Sequence, residues 1–151
     1  MNSRLLIFVL ALCAGCRSPD RLPPLNLSQP GWRVAQGQAV WRPPRRRAEI
    51  AGDLLLATNV NGDFFVQFSK TPFPVATAED FGGRWQIQFG ANEYRRRGRG
   101  APPDGFAWFE LPRALAGSPL APRWKFERRP GGRWRLENAR GGESLEGLFF
   151  P

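Results

Sequence analysis

Three short stretches that alternate polar and large apolar residues most constrain the fold of this 151-residue chain. The stretch RWQIQF (84–89) carries an apolar side chain at its second, fourth and sixth positions, and RWKFER (123–128) and RWRLEN (133–138) carry one at their second and fourth positions. Successive side chains of a β-strand point to opposite faces of a sheet, so this alternation is typical of strands with one buried face. The sequence therefore predicts strands whose tryptophan, phenylalanine and leucine side chains share one face.

Turn sequences between apolar stretches predict two hairpins. Residues 129–132 (RPGG) suit a chain reversal, because proline and glycine favour turns, so we predict a hairpin over 123–137. Residues 53–58 (DLLLAT) and 64–69 (FFVQFS) flank Asn61-Gly62. This dipeptide tolerates the positive φ that hairpin turns need, so we predict a second hairpin there.

The rest of the chain predicts further short elements. A first strand is predicted over 32–41, where Gly37 interrupts the alternation and predicts a bulge. Residues 112–117 (PRALAG) predict a short helix with proline at its start and glycine at its end. Three other predicted strands cover residues 74–79, 106–111 and 144–149.

These elements define the predicted fold class. The 15 prolines and 17 glycines favour many turns and short elements over long helices. We predict a mainly β protein: a single curved antiparallel sheet, of the half-barrel kind, with one or few short helices. The sheet is expected to hold about seven or eight strands, enough to wrap a cavity or to pack on itself.

The N-terminal residues have the composition of an export signal. Arg4 precedes an apolar run over 5–12, and small residues follow it. The run is too short to span a bilayer, which takes roughly 20 apolar residues. We therefore predict an exported protein whose only cysteines, Cys13 and Cys16, lie at the end of the signal.

The stretch LCAGC (12–16) resembles a bacterial lipobox. Proteins with this motif are cleaved before the last cysteine, which then carries the acyl chains. The resemblance implies a lipoprotein signal peptide over 1–15, a lipidated Cys16 with a Pro-rich tether over 16–31, and an antiparallel β domain over 32–151. Ordinary secretory cleavage is the alternative. Three acyl chains exceed what stable membrane anchoring requires.

The residue after Cys16 and the net charge indicate the location and the partners. Arg17 stands where aspartate retains many lipoproteins in the inner membrane, so we expect the periplasmic side of the outer membrane. The formal net charge of +9 favours an anionic partner such as phospholipid or lipopolysaccharide. A GC-rich genome is the alternative source of the many arginines. Nucleic acid is not expected as a partner, because export separates the chain from it.

The predicted β domain resembles the LolA/LolB-type lipoprotein carriers and acceptors. The resemblance consists of the lipobox, hairpin-spaced strands, a short helical segment over 111–117 and a terminal Trp-rich hairpin. It implies a monomer whose half-barrel encloses an apolar cavity for acyl chains of lipids or lipoproteins. The candidate lining residues are Trp85, Phe89, Trp124, Phe126, Trp134 and Leu136. The alternative function is a non-catalytic β-sandwich scaffold, or a module that binds a glycan or protein of the cell envelope.

Two segments are candidates for docking on the membrane. Residues 92–104 predict a basic Gly/Pro-rich loop, and each Arg or Lys near an anionic bilayer contributes roughly 1 kcal/mol to binding. Phe73, held between two prolines, is either an exposed apolar tip or a buried anchor at a strand corner, and the buried anchor is favoured. The candidate docking residues are Arg95, Arg96, Arg97, Arg99 and Phe73. A further basic stretch covers 45–47.

The composition argues against an enzyme. The chain has no histidine, and a lipidated Cys16 leaves no free thiol, so nucleophile–histidine pairs and histidine metal sites are excluded. Two carboxylates could still hydrolyse a glycoside, and the nearest local pairs are Glu79-Asp80 and Glu143 with Glu146. We expect these carboxylates to be solvated or ion-paired, and we expect no catalytic residue, no metal and no cofactor.

Overall fold

A computed structural model describes residues 25–45, 48–90 and 94–151. These residues form nine antiparallel β-strands in one sheet and a single α-helix. The strands are β1 Trp32–Arg42, β2 Ile50–Asn59, β3 Phe64–Lys70, β4 Phe73–Phe81, β5 Arg84–Phe89, β6 Tyr94–Arg99, β7 Trp124–Arg128, β8 Arg133–Asn138 and β9 Ser144–Phe149. Helix α1, Ala107–Leu115, joins β6 to β7, and a 3-10 turn over Pro130–Gly132 joins β7 to β8.

The predicted fold class is confirmed, since the described chain is mainly β with one open antiparallel sheet and little helix. Both predicted hairpins form, as β2–β3 and as β7–β8. The predicted signal peptide, Cys16, the tether before Leu25, and Arg46 and Arg47 lie outside the described residues.

The strand order is β6-β5-β4-β3-β2-β1-β9-β8-β7. The chain runs as a meander from β1 to β6, and α1 then carries it to the far side of the sheet. Strands β7 to β9 return toward the middle, where β9 pairs with β1. Among the described residues β6 and β7 are therefore the two edges of an unclosed sheet.

The sheet curls strongly toward one face. Four strand spacings separate β1 from β5, or about 19 Å along a flat sheet. The rings of Trp41 on β1 and Phe89 on β5 nevertheless stack with their centroids 5.6 Å apart. The face on which these two rings meet, which α1 covers, is called here the inner face, and the opposite one the outer face.

Gly37 allows a close approach of β1 and β9 and does not form the predicted bulge. The pairing of β1 with β2 continues in register from Trp32 to Trp41, so that prediction is wrong. A Cβ at Gly37 would lie 2.0 Å from the backbone carbonyl oxygen of Leu148. Glycine is required here because β1 and β9 approach too closely for a side chain.

The core lies between α1 and the inner face. The helix contacts β4 and β8, which belong to opposite halves of the sheet. Its Trp108, Phe109 and Leu111 side chains are at most 1% exposed. One amphipathic helix therefore supplies the apolar layer that a single curled sheet needs.

The helix differs from the prediction at its start and agrees with it at its end. Residues 106–111, predicted as a strand, lie mostly in α1, which begins at Ala107 and not at Pro112. At the C-terminus, Ser118 N–H bonds the carbonyl of Arg113, Gly117 N–H bonds that of Ala114, and Gly117 has a φ of +74°. This is a Schellman motif, in which glycine adopts the left-handed conformation.

The prediction of a basic loop over 92–104 is also wrong, because the centre of this segment is a strand. Tyr94–Arg99 forms β6, which pairs along its whole length with β5. The alternation of large apolar residues that marks other strands is missing from YRRRGR, because an edge strand needs little burial.

Candidate functional site

All six predicted lining residues lie on the inner face, as their register shows. Trp85 and Phe89 project from β5, near one edge of the sheet. The other four are Trp124 and Phe126 on β7 and Trp134 and Leu136 on β8. The structure thus brings the six residues to one face but divides them into two groups, with α1 between.

The β7–β8 group is part of a packed core. Trp134 is 2% exposed and stacks on Phe149 with ring centroids 5.8 Å apart. The indole Nε1 of Trp124 donates to the backbone carbonyl of Asp104 at 2.6 Å, which fixes the segment before α1. Phe126 is half-buried, and the guanidinium of Arg128 lies 5.7 Å from its ring centroid.

The β5 group belongs to a row of aromatic rings at the open β6 edge. Phe89 lies 5.8 Å from Tyr94 and 5.9 Å from Phe106, and Phe106 in turn lies 6.2 Å from Phe109. Trp85 meets the ring of Phe109 edge-on at 5.7 Å. We call these five residues the aromatic edge cluster: Trp85, Phe89, Tyr94, Phe106 and Phe109.

The aromatic edge cluster runs from solvent into the core. Tyr94 is 42% exposed, Phe89 and Phe106 are half-buried, and Phe109 is buried beneath the helix. Sequence reasoning missed Tyr94, Phe106 and Phe109, because the first fell in a predicted loop and the other two in a predicted strand. The cluster is a continuous apolar path along the junction of α1 and the sheet.

Trp108 occupies the centre of the inner face. Its ring lies 5.3 Å from both Trp41 and Phe68, edge-on to the first and stacked on the second. In the described residues, the buried Nε1 atoms of Trp108 and Trp85 have no hydrogen-bond acceptor. Donors of this kind can serve a carbonyl or carboxylate oxygen that enters between helix and sheet.

Glu143, in the loop between β8 and β9, joins the sheet to the start of α1. It is 3% exposed, and its Oε1 accepts a hydrogen bond of 3.0 Å from Nε1 of Trp41. The backbone N–H of Ala107 also bonds this carboxylate, so Glu143 caps the helix N-terminus. Burial raises the pKa of Glu143 to about 7, although the two hydrogen bonds act in the opposite direction.

Two other carboxyl groups near the inner face are affected by burial. Glu110 on α1 is 1% exposed, and burial raises its pKa although the guanidinium of Arg113 lies 3.4 Å away. Burial, with a smaller contribution from Asp63, likewise raises the pKa of Asp80. Both groups therefore favour the protonated form more than exposed carboxyl groups do.

Neither predicted carboxylate pair faces across a common groove. Glu79 and Asp80 are neighbours on β4 and point to opposite faces; only Asp80 shares the inner face with Trp85. Glu143 caps α1, whereas Glu146 on the outer face forms an ion pair with Arg135 at 3.3 Å.

Within the described ranges, no group of three or more His, Cys, Asp or Glu side chains is placed to hold a metal ion.

Phe73 is exposed, so the favoured prediction of a buried strand-corner anchor is wrong. Its side chain is 71% exposed at the start of β4. Because β4 and β6 run in the same direction, Phe73 and Tyr94 lie at the same end of the sheet, two strand spacings or about 10 Å apart laterally. Lys70, opposite Phe73 in the β3–β4 pair, adds a positive charge there.

The four predicted docking arginines lie along β6 and not at one tip. Arg95, Arg97 and Arg99 are on the outer face, and Arg96 is on the inner face with Tyr94. All four are exposed. Arg95 donates to Oε1 of Gln88 at 2.8 Å.

A groove of about 440 Å³ lies elsewhere, on strands β1, β2 and β9. Its outer-face walls include Val40, Ala51 and Leu148, with Arg133 and Glu146 at its side. None of the six predicted lining residues borders it, so this groove is separate from the aromatic face.

Comparison with known proteins does not identify a family for this chain. The chain matches no protein-family model, and no curated protein matches it significantly. Among the described residues, no helix has the length and hydrophobicity needed to cross a bilayer. The proposed function therefore rests on the fold and on the chemistry of its side chains.

Proposed function

We propose that this chain is a lipid-anchored, non-enzymatic protein of the bacterial cell envelope. Its curled sheet would accept an acyl chain, from a lipid or from another lipoprotein, at the junction of α1 and β5–β6. Lipidation of Cys16 would hold the domain on the periplasmic side of the outer membrane. No cofactor or energy source is required, because entry of an apolar chain is driven by burial of its surface.

The observation that supports this proposal best is the aromatic edge cluster. Its half-buried members continue without a break into the fully buried core at Phe109. Apolar binding sites in proteins are concave and lined mostly by aromatic and aliphatic side chains, with few polar groups. An acyl chain could lie on Phe89 and Phe106 without breaking any strand pairing, because α1 is the only described element that covers this edge.

The residues exposed at one end of the sheet are of the types that bind membranes, and a membrane would supply the acyl chain. Phe73 presents an aromatic ring to solvent, Tyr94 lies at the same end, and Lys70 adds charge. Aromatic side chains are favoured at the interface between lipid and water. The end that bears Phe73 would face the bilayer and place the entrance of the aromatic edge cluster close to it.

The tightly packed β7–β8 group and Trp108 favour the second candidate function. If α1 never moves, the inner face is simply a core, and the protein is a non-catalytic module that binds an envelope partner through its surface. This alternative differs from the first in one measurable property, which is the capacity for apolar ligands.

The test measures that capacity directly. A full-length Cys16→Ser variant, which lacks the acylation site, is titrated with a fluorescent fatty acid and examined by native mass spectrometry. Stoichiometric binding that quenches tryptophan fluorescence is expected. A Phe106→Ser variant should lose most of that binding, whereas Phe65→Ser, on the outer face of β3, should not. Absence of any bound fatty acid or phospholipid would favour the module with a closed core.

A further inference from the structure

Strand β6 is an open sheet edge of unusual composition. Tyr94–Arg99 pairs with β5 on one side, and it is the last strand of the described sheet on the other. In an antiparallel pair, every second residue directs its N–H and C=O groups away from its partner. A row of backbone donors and acceptors therefore faces outward along β6.

The charge of this edge has one sign. Strands β5 and β6 together contain five arginines and no aspartate or glutamate. Arg84 and Arg99 stand directly opposite each other in the β5–β6 pair. Like charges in that position repel, so an anion that binds to both would stabilise the pair.

The arginines occupy both faces of the edge. Arg95, Arg97 and Arg99 follow one another on the outer face at every second residue, a spacing of about 7 Å, and Arg96 projects from the inner face. A flat anionic bilayer can touch only one of these faces. A strand added alongside β6 would have side chains on both faces, at the same spacing and directly opposite the arginines.

We propose that the β6 edge binds an extended acidic segment of a partner protein as a tenth strand of the sheet. Backbone hydrogen bonds to the outward row would supply affinity, and acidic side chains of the segment would select it by pairing with the arginines. This inference does not depend on acyl-chain binding, since it uses the backbone and the arginines of β6 and not the aromatic rings of the inner face. It assigns the arginine-rich strand to a protein partner instead of the membrane.

Trp85 provides a reporter for this binding. A Cβ built on Gly98 would lie 2.5 Å from the Trp85 ring, so the indole packs directly against the β6 backbone. A strand that docks on β6 should therefore change the tryptophan fluorescence, and it should slow hydrogen exchange of the outward β6 amides.

The test uses the full-length Cys16→Ser variant and two peptides of eight residues in which two Glu alternate with two Thr, so that both faces of the extended peptide carry carboxylates. One peptide is unmodified, and in the other every amide is N-methylated, which keeps the charge but removes all backbone donors. We expect the unmodified peptide to bind at least tenfold more tightly in isothermal titration calorimetry and to protect β6 amides from exchange. Equal binding of both peptides would overturn the proposal, because charge alone would then explain it.

Charge-reversal variants test the use of both faces. Arg96→Glu on the inner face and Arg99→Glu on the outer face should each weaken peptide binding at least fivefold. Arg33→Glu, an exposed position on β1, is the matched control and should change binding less than twofold. Loss with Arg99→Glu but not with Arg96→Glu would overturn the proposal, as would binding to phosphatidylglycerol vesicles without binding to the peptide. The comparison of peptides needs no mutation, so it decides the matter even if a variant unfolds.

Discussion

The Nε1 atom of Trp41 and the Oε1 atom of Glu143 lie 3.0 Å apart, although 102 residues separate them in the chain. Trp41 is near the end of β1, and Glu143 caps α1 through the N–H of Ala107. One buried carboxyl group thus connects the centre of the sheet to the helix that covers it. The protonation state of this group affects both.

The first prediction concerns the pH dependence of stability. Burial raises the pKa of Glu143 from 4.5 to about 7, so the folded state holds this proton more tightly than the unfolded chain does. The contribution of Glu143 to the free energy of unfolding is then greatest below pH 4.5 and falls as the pH rises to about 7. The loss over this window is about 3 kcal/mol, at about 1.4 kcal/mol for each pH unit.

A Glu143→Gln variant keeps a side-chain oxygen that can accept the hydrogen bond from Trp41, but it carries no charge. It should be more stable than the parent protein at pH 8 and should show a flatter pH profile between 4.5 and 7 in urea unfolding. Glu127→Gln, whose parent side chain is 63% exposed, is the control and should leave the profile unchanged. If Glu143→Gln is equally destabilised at pH 5 and pH 8, the hydrogen bonds to the charged carboxylate cancel or exceed the effect of burial on its pKa.

The second prediction concerns Gly98 and the packing of Trp85. A Cβ at Gly98 would lie 2.5 Å from the Trp85 ring, which in turn packs on Phe109. Gly98→Ala must displace that ring, and we expect a loss of about 1–3 kcal/mol of stability together with a shift in tryptophan emission. Gly105→Ala is the matched control, because no atom lies within 4 Å of its added Cβ. Similar stabilities for the two variants in urea unfolding would mean that Trp85 does not pack tightly against Gly98.

The strands and turns were largely predictable from the sequence, because their signals are local. Alternating apolar residues give β5, β7 and β8 their inner faces, and Asn61-Gly62 and Pro130–Gly132 mark reversals within a few residues. These patterns record which side chains share a face. They do not record which strands meet across a curled sheet.

The start of α1 and the nature of β6 were not predictable for physical reasons. Phe106, at the N-cap, offers no side-chain acceptor, and the cap is Glu143 from another part of the chain. Strand β6 lacks an apolar alternation because it is an exposed edge. The face that carries the six lining candidates was foreseen, but the first half of the helix that covers it was not, since residues 106–111 have the local pattern of a strand.

The third prediction concerns membrane contact through Phe73. Because its ring is 71% exposed, Phe73→Ser should leave the urea midpoint nearly unchanged. Binding of the Cys16→Ser variant to phosphatidylglycerol-containing vesicles should weaken by about tenfold when the ring is removed, as expected for the loss of one large apolar side chain from lipid. Val60→Ser is the control, since Val60 is 86% exposed in the β2–β3 turn at the other end of the sheet. If the two variants bind vesicles equally well in co-sedimentation, the Phe73 end does not face the bilayer.

The fourth prediction concerns Phe109, the buried end of the aromatic edge cluster. Phe109→Ala opens a void beneath α1 and should lower stability by about 3–5 kcal/mol, whereas Phe109→Leu should cost less. If an acyl chain enters along the cluster, the void lengthens its path, so the Ala variant should bind a fluorescent fatty acid more tightly than the parent and the Leu variant should fall between them. Phe65→Ala, on the outer face of β3, removes the same atoms and should leave fatty-acid affinity unchanged. A graded loss of stability without any gain in affinity would mean that the cluster ends at Phe109 as ordinary core, and the acyl-chain proposal would fail.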